Sequence, residues 1–136
     1  MKLLVTALVA AVVMLALSGQ AHATPPIVQL DGIQPQATIF EAASRTEPLV
    51  VKSKEQAAKQ FDRQTVARLR EVVDFDEQFV LVFAWRGSGQ DKLDYEVAES
   101  FPEQITFNYT PGRTRDLRPH VYIFALRNNV TWRMGR

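Results

Sequence analysis

The sequence has no cysteine and two histidines, and one of those, His22, falls in a leader expected to be removed. Cysteine nucleophiles, disulfides, and thiolate- or histidine-rich metal sites are therefore excluded, because the side chains that such chemistry requires are missing. With six Gly and seven Pro in 136 residues the chain is neither collagen-like nor low in complexity, and it carries no repeat of a solenoid period. Neither sign of charge dominates, at 16 Lys plus Arg against 15 Asp plus Glu. The longest early apolar run, Leu3 to Leu17, is fifteen residues and ends at Ser18-Gly19-Gln20. A membrane-spanning helix needs about 20 apolar residues, so no permanent membrane anchor is expected.

What the first residues do have is the form of an export signal. Met1-Lys2 supplies a positive start, the apolar run follows, and Ala21-His22-Ala23 has the small-x-small pattern of a signal peptidase site. Cleavage after Ala23 is the expectation, with no Cys at the cleavage point to accept a lipid. The chain is then read as a signal peptide (1–23), N-terminal strands and lead-in (24–52) and an α+β core (53–136). Residues 24–136 make one exported domain, periplasmic or secreted. At that length a chain buries over about 60% of its extended surface, enough for one core without staples.

Over residues 24–136 the formal charge is zero, but it is unevenly spread. Residues 24–112 carry nine basic and fourteen acidic side chains, whereas 113–136 carry six Arg and one Asp. Guanidinium forks pair bidentately with carboxylates and phosphates, so an arginine-rich end suits anions. Basic strands lying beside acidic ones would explain the same asymmetry. Nucleic acid is not expected as a partner of an exported chain without net positive charge.

Strands are expected at Ile27 to Leu30, Thr38 to Glu41 and Leu49 to Lys52, separated by the turn signals Asp31-Gly32 and Gln34-Pro35. Ser53-Lys54-Glu55-Gln56 has the form of a capping box. Ala57, Ala58, Phe61, Val66, Leu69 and Val73 follow at near-helical spacing, as one helix or as two short ones meeting near Phe61-Asp62. Phe79 to Trp85 is continuously apolar, the mark of a strand covered on both faces. Phe79, Leu81, Phe83 and Trp85 share one face, and the smaller Val80, Val82 and Ala84 share the other, where a helix can approach closely. Leu93 to Val97 and Ile105 to Tyr109 alternate apolar with polar residues, as half-exposed antiparallel strands do. Val121 to Leu126 reads as a second fully apolar strand. A two-residue turn at Asn128-Asn129 would fold the last residues back on it, setting Arg127 opposite Val130, Ala125 opposite Trp132 and Ile123 opposite Met134. The fold expected is α+β: a mostly antiparallel, curved sheet of five or more strands with one helical segment packed on it.

Candidate chemistry is sparse. A serine hydrolase would use Ser88, between Gly87 and Gly89, with His120 as base and Asp91 or Asp116 as the orienting carboxylate. The surrounding residues are not a Gly-x-Ser-x-Gly elbow, and a serine between glycines is an ordinary turn residue. Gly87, Gly89 and Lys92 suggest a phosphate loop but lack the Walker spacing and the helix after the lysine. Asp74, Asp76 and Glu77 offer oxygen ligands for calcium without the glycine and distal glutamate of an EF-hand, and they equally suit a turn. Asp91, Asp94 and Glu96 supply carboxylates for glycoside hydrolysis, although Asp94 and Glu96 on a strand simply share a wet face. Asn108-Tyr109-Thr110 and Asn129-Val130-Thr131 are glycosylation triplets.

The strongest binding candidate is the connection Pro111 to His120. Arg113, Arg115, Arg118 and His120, with Arg86 on the neighbouring loop, would form a patch for the carboxylates of a partner protein or for an anionic envelope polymer. An internal use competes: Asp91 or Asp116 would hold one of these arginines and fasten the 111–120 loop to the 86–92 loop. No metal and no cofactor is implied. From Ser53 to Arg136 the chain also resembles the C-terminal domain of the protease complex subunit PrcB family. The points of similarity are a short helix after a strand, Val73-Asp74-Phe75-Asp76 leading into Phe79 to Trp85, a glycine-containing turn, and a closing Pro119 to Leu126 strand. That resemblance implies a non-catalytic exported module that binds or stabilises a partner protein. The reading reached is a small exported binding or accessory domain acting through loops 86–92 and 111–120, with a small extracytoplasmic hydrolase as the alternative.

Overall fold

A computed structural model describes residues 24–136; the expected export signal and its cleavage after Ala23 fall outside the described residues. Two ten-residue strands form the centre, β3 (Gln78–Gly87) and β6 (Arg118–Arg127). They pair antiparallel along their whole length, from Gln78 opposite Arg127 to Gly87 opposite Arg118. Short strands β1 (Ile27–Gln29) and β2 (Leu49–Val51) flank them, giving the order β1-β6-β3-β2. A second sheet stacks β4 (Lys92–Ala98), β5 (Gln104–Thr110) and β7 (Thr131–Met134) in the order β4-β5-β7. Helices α1 (Ile39–Ala42), α2 (Lys54–Ala57) and α3 (Arg63–Val72) cover the outer face of the first sheet. None of these helices is long and apolar enough to cross a membrane.

The alternation in β3 explains the three layers. Val80, Val82 and Ala84, with Ile123 and Ala125 of β6, face Ile39, Phe61 and Leu69 in one core. Their small volume lets the helices sit close to the sheet. The bulky face, Phe79, Leu81, Phe83 and Trp85, joins Phe124, Ile105 and Phe107 in a second core between the sheets. Phe83, Phe107 and Phe124 meet there with centroids 4.9 to 6.0 Å apart and tilted or edge-on rings, the geometry the ring quadrupole favours. Phe79–Trp85 of β3 and Ile123–Leu126 of β6 are therefore buried on two faces, as unbroken apolar runs require.

The mostly antiparallel α+β architecture is the one the sequence implies, and its details differ in several places. Among the described residues, seven strands divide between two sheets instead of joining one, and the helical layer has three short helices. α2 and α3 do break near Phe61-Asp62. Ser53 Oγ accepts from Gln56 N at 3.2 Å, but Gln56 Oε1 reaches Lys52 N at 2.7 Å, one residue earlier than a capping box would place it. Asp62 caps α3 by accepting from Thr65 N at 2.7 Å.

Thr38 to Glu41, expected as a strand, is helix α1. Ile39 N and Glu41 N donate to Gln36 O and Thr38 O, and Ile39 and Ala43 are both buried in the helix-side core. Burial at positions i and i+4 is helical spacing. The closing hairpin also differs: β7 pairs parallel with β5, Ile105 opposite Trp132 and Phe107 opposite Met134, and not with β6. Along Phe124–Leu126 both edges of β6 are already taken, by β3 and β1. A turn is closed by Val130 N donating to Arg127 O at 3.2 Å, yet neither Asn128 nor Asn129 adopts positive φ. A two-residue hairpin turn of type I′ needs positive φ at both positions, so the chain leaves the first sheet for the second.

Candidate functional site

Loops 88–91 and 111–117 meet at one end of the β3–β6 pair, and nearly every polar group between them is used to join the two. Trp85, near the end of β3, turns its indole toward the loops and Nε1 donates to Asp91 Oδ2 at 3.0 Å. Asp91 Oδ1 accepts from Gly112 N at 2.7 Å. Asp91 is only 5% exposed, one of two buried polar residues in the described chain. The Gly112 amide, then the indole N–H and the Tyr109 hydroxyl, hold its carboxyl below the usual carboxylate range, against the opposing effect of burial. The same contact pushes the Tyr109 hydroxyl up, burial being the larger cause.

The second clasp is Asp116. Its Oδ1 accepts from Gly89 N at 3.1 Å across the loops, and its Oδ2 accepts from Arg118 Nε at 2.9 Å. The Thr114 hydroxyl, the Gly89 amide and Arg118 hold the Asp116 carboxyl far below its ordinary value. A third clasp is Ser88, whose Oγ pairs with Thr114 Oγ1 and accepts from Thr114 N and Gln90 N, each at 3.2 Å. The loops pass so close that a Cβ on Gly112 would lie 2.6 Å from Gln90 Cβ and 2.7 Å from its carbonyl carbon, so only glycine fits there.

These bonds determine what each candidate residue can do. Ser88, His120 and Asp91 are brought together, but their hydrogen bonds are made elsewhere. His120 Nε2 lies 2.7 Å from the backbone carbonyl oxygen of Ser88, while Ser88 Oγ and both Asp91 oxygens serve the clasps. A serine nucleophile needs its hydroxyl on the imidazole and the imidazole on the carboxylate. Gly89 N, the donor a phosphate cradle would offer, is spent on Asp116. Asp74 Oδ1 accepts from Asp76 N at 3.0 Å in a turn, and no group of three potential metal ligands occurs among the described residues. Asp94 and Glu96 lie exposed on β4, opposite Asn108 and Thr106 of β5.

The arginines separate into two uses. Arg118 is held by Asp116, although its side chain remains 69% exposed. Arg113 and Arg115 are exposed, and Arg86 lies with its guanidinium carbon 4.2 Å above the Phe40 ring. Among the described residues the ion pairs are Arg118–Asp116 and Arg127–Glu103, so Arg86, Arg113 and Arg115 have no carboxylate partner there. His120 is half-buried and stacked on Trp85 at 5.0 Å and 20°, and Tyr122 is stacked on Trp85 at 5.5 Å and 6°.

Reading by residue type overlooked Trp85, Tyr109, Thr114 and Phe40. Trp85 was visible as the polar-tipped end of an apolar strand, since a buried indole N–H must find an acceptor. Phe40 carried no such signal. No protein-family model, curated protein or solved structure matches the chain.

Proposed function

We propose that the protein is a small exported, non-catalytic binding module, whose face formed by loops 86–92 and 111–120 takes the carboxylates of a partner protein or of an anionic envelope polymer. One observation carries this reading. Asp91, buried, and Asp116, at the surface, are both engaged as clasps between the two loops, and Arg86, Arg113 and Arg115 are left exposed without carboxylate partners among the described residues. A scaffold of this kind presents guanidinium groups on loops that need no further ordering to bind, which lowers the entropic cost of association. The resemblance to the PrcB-family C-terminal domain supports the same class of role.

The test is binding of the Thr24–Arg136 chain to immobilised polyglutamate across a salt series. Affinity should fall steeply with ionic strength, because exposed charge pairs are screened within about 10 Å at 0.1 M salt. The double variant Arg113→Ala, Arg115→Ala should lose roughly tenfold or more in affinity. A flat salt response, or equal binding by that variant, would overturn the reading.

A further inference from the structure

We infer that the partner docks as an extended acidic protein segment, added as a strand along the free edge of β6 at Pro119–Val121. The inference rests on the binding-module reading above and names the form of its partner.

The open edge follows from how β1 ends. Leu30 N donates to Ile123 O at 2.8 Å, and Arg127 N to Pro26 O at 3.1 Å, so odd-numbered residues of β6 present their backbone groups toward β1. Asn128 N donates to Glu77 O at 2.9 Å, which places the even-numbered groups on the β3 side. Past Leu30 the chain turns away at Asp31-Gly32, where Gly32 adopts a φ of 72° that favours glycine. β1 pairs only with Phe124 to Leu126. The N–H and C=O of Val121 and the C=O of Pro119 therefore point out of the sheet, with no strand beside them among the described residues.

The space beside that edge is a groove of about 560 Å³, bounded by Pro35, Ala37 and Phe40 on one side and by Pro119, Val121 and Tyr122 on the other. It meets a smaller groove over Gly89, Thr114, Asp116 and Arg118 at Pro119-His120, where the Asp116 carboxylate is already held by Gly89 N and Arg118 Nε, so the edge runs directly into the arginine-bearing loops. Neither segment lining it, 34–40 or 119–122, contains an acidic side chain. Arg86 lies over Phe40 at the groove, and Leu117, at the head of β6, is 73% exposed as an apolar contact. Strand addition supplies affinity through main-chain bonds and specificity through alternate side chains. Here the bonds available are two to Val121 and one to Pro119, and the charge around them selects carboxylates. Pro119 offers no N–H, which limits pairing to a short stretch and fixes its register.

The probe is a synthetic peptide of alternating Glu and Val, compared with the same peptide N-methylated at every second amide, and with polyglutamate. Amide exchange of Val121 is followed by NMR in the Thr24–Arg136 chain. Binding of the unmodified peptide should slow Val121 exchange about tenfold or more, and N-methylation in the pairing register should weaken binding by a similar factor. If both peptides and polyglutamate bind equally and Val121 exchange is unchanged, strand addition is overturned and the arginine-face reading stands. If none of the three binds, both fail.

Discussion

Trp85 Nε1 donates to Asp91 Oδ2 at 3.0 Å, linking the end of a central core strand to the loop that follows it. The bond joins two otherwise separate parts of the fold. Trp85 belongs to the core between the sheets, whereas Asp91, through Gly112 N at 2.7 Å, governs where the arginine-bearing loop lies. Asp91→Asn keeps the shape but offers one acceptor oxygen and an NH2 group to a site built entirely from donors. At least one donor is then left unsatisfied in a site that is 5% exposed. The expected cost is about 1–3 kcal/mol, read as a lower denaturant midpoint, together with a change in the Trp85 fluorescence that a surface substitution would not produce.

The same carboxylates set an acid limit. Asp91 and Asp116 both have folded-state pKa values below their unfolded ones, Asp91 chiefly through the Gly112 amide and Asp116 chiefly through the Thr114 hydroxyl. Their contribution is complete above the unfolded value of about 3.9 and is lost as pH falls through the depressed folded values. Glu103 beside Arg127 and Asp62 on Thr65 N act in the same direction. Thermal denaturation should therefore be nearly level from about pH 5 to 7 and fall steeply below about pH 4. Asp91→Asn should flatten part of that slope, and an unchanged slope would show that its carboxylate is not coupled to folding.

How much of this was legible in the sequence depended on the range of the interaction. The two-faced character of β3 was readable because seven consecutive apolar residues with bulk on alternate positions have few other uses, and the helix-side and sheet-side cores divide along that alternation. The break at Phe61-Asp62 was readable because capping is local. Helix α1 was not readable because four residues are too few to show a helical period, and the burial of Ile39 and Ala43 four apart follows only from their packing on the first sheet. The parallel placement of β7 depended on β1 occupying part of the free edge of β6, a contact about one hundred residues away in sequence that no local pattern records. At the site, Arg113, Arg115 and Arg118 looked alike by composition. Only the fold separates Arg118, held by Asp116 Oδ2 at 2.9 Å, from its two unpaired neighbours.

Ser88→Ala distinguishes a clasp from a nucleophile. Ser88 Oγ accepts from Thr114 N and Gln90 N and pairs with Thr114 Oγ1, so its removal should cost about 1 kcal/mol of stability. Neither Ser88→Ala nor His120→Ala should change turnover of any ester or amide substrate, since none is expected. Hydrolysis by the purified protein that disappears in both variants would restore the triad.

Phe107 touches Phe83, Phe124, Tyr95 and Trp132 with ring centroids 4.9 to 6.4 Å apart, and so couples β5 to the central pair, to β4 and to β7. It is fully buried. Phe107→Ala should cost about 3–5 kcal/mol, from lost burial and the cavity left behind, a large share of a typical domain stability. Tyr95→Ala, at a residue 37% exposed, should cost distinctly less in the same denaturation experiment. Equal losses would mean that the second sheet is not held through Phe107.

The turn at Asn128-Asn129 offers a substitution whose sign decides between two topologies. Were these residues the centre of a type I′ hairpin, Asn129→Gly would relieve positive φ and stabilise the protein. In the structure neither asparagine has positive φ, Asn129 Oδ1 accepts from Arg127 Nε at 2.7 Å, and β7 leaves to pair with β5. Glycine there gives the unfolded chain more freedom and deletes an acceptor while relieving nothing. The expected result is a loss of about 0.5–1 kcal/mol or somewhat more, measured by chemical denaturation. A gain in stability would indicate that the last strand folds back on β6, and the parallel β5–β7 pairing would have to be abandoned.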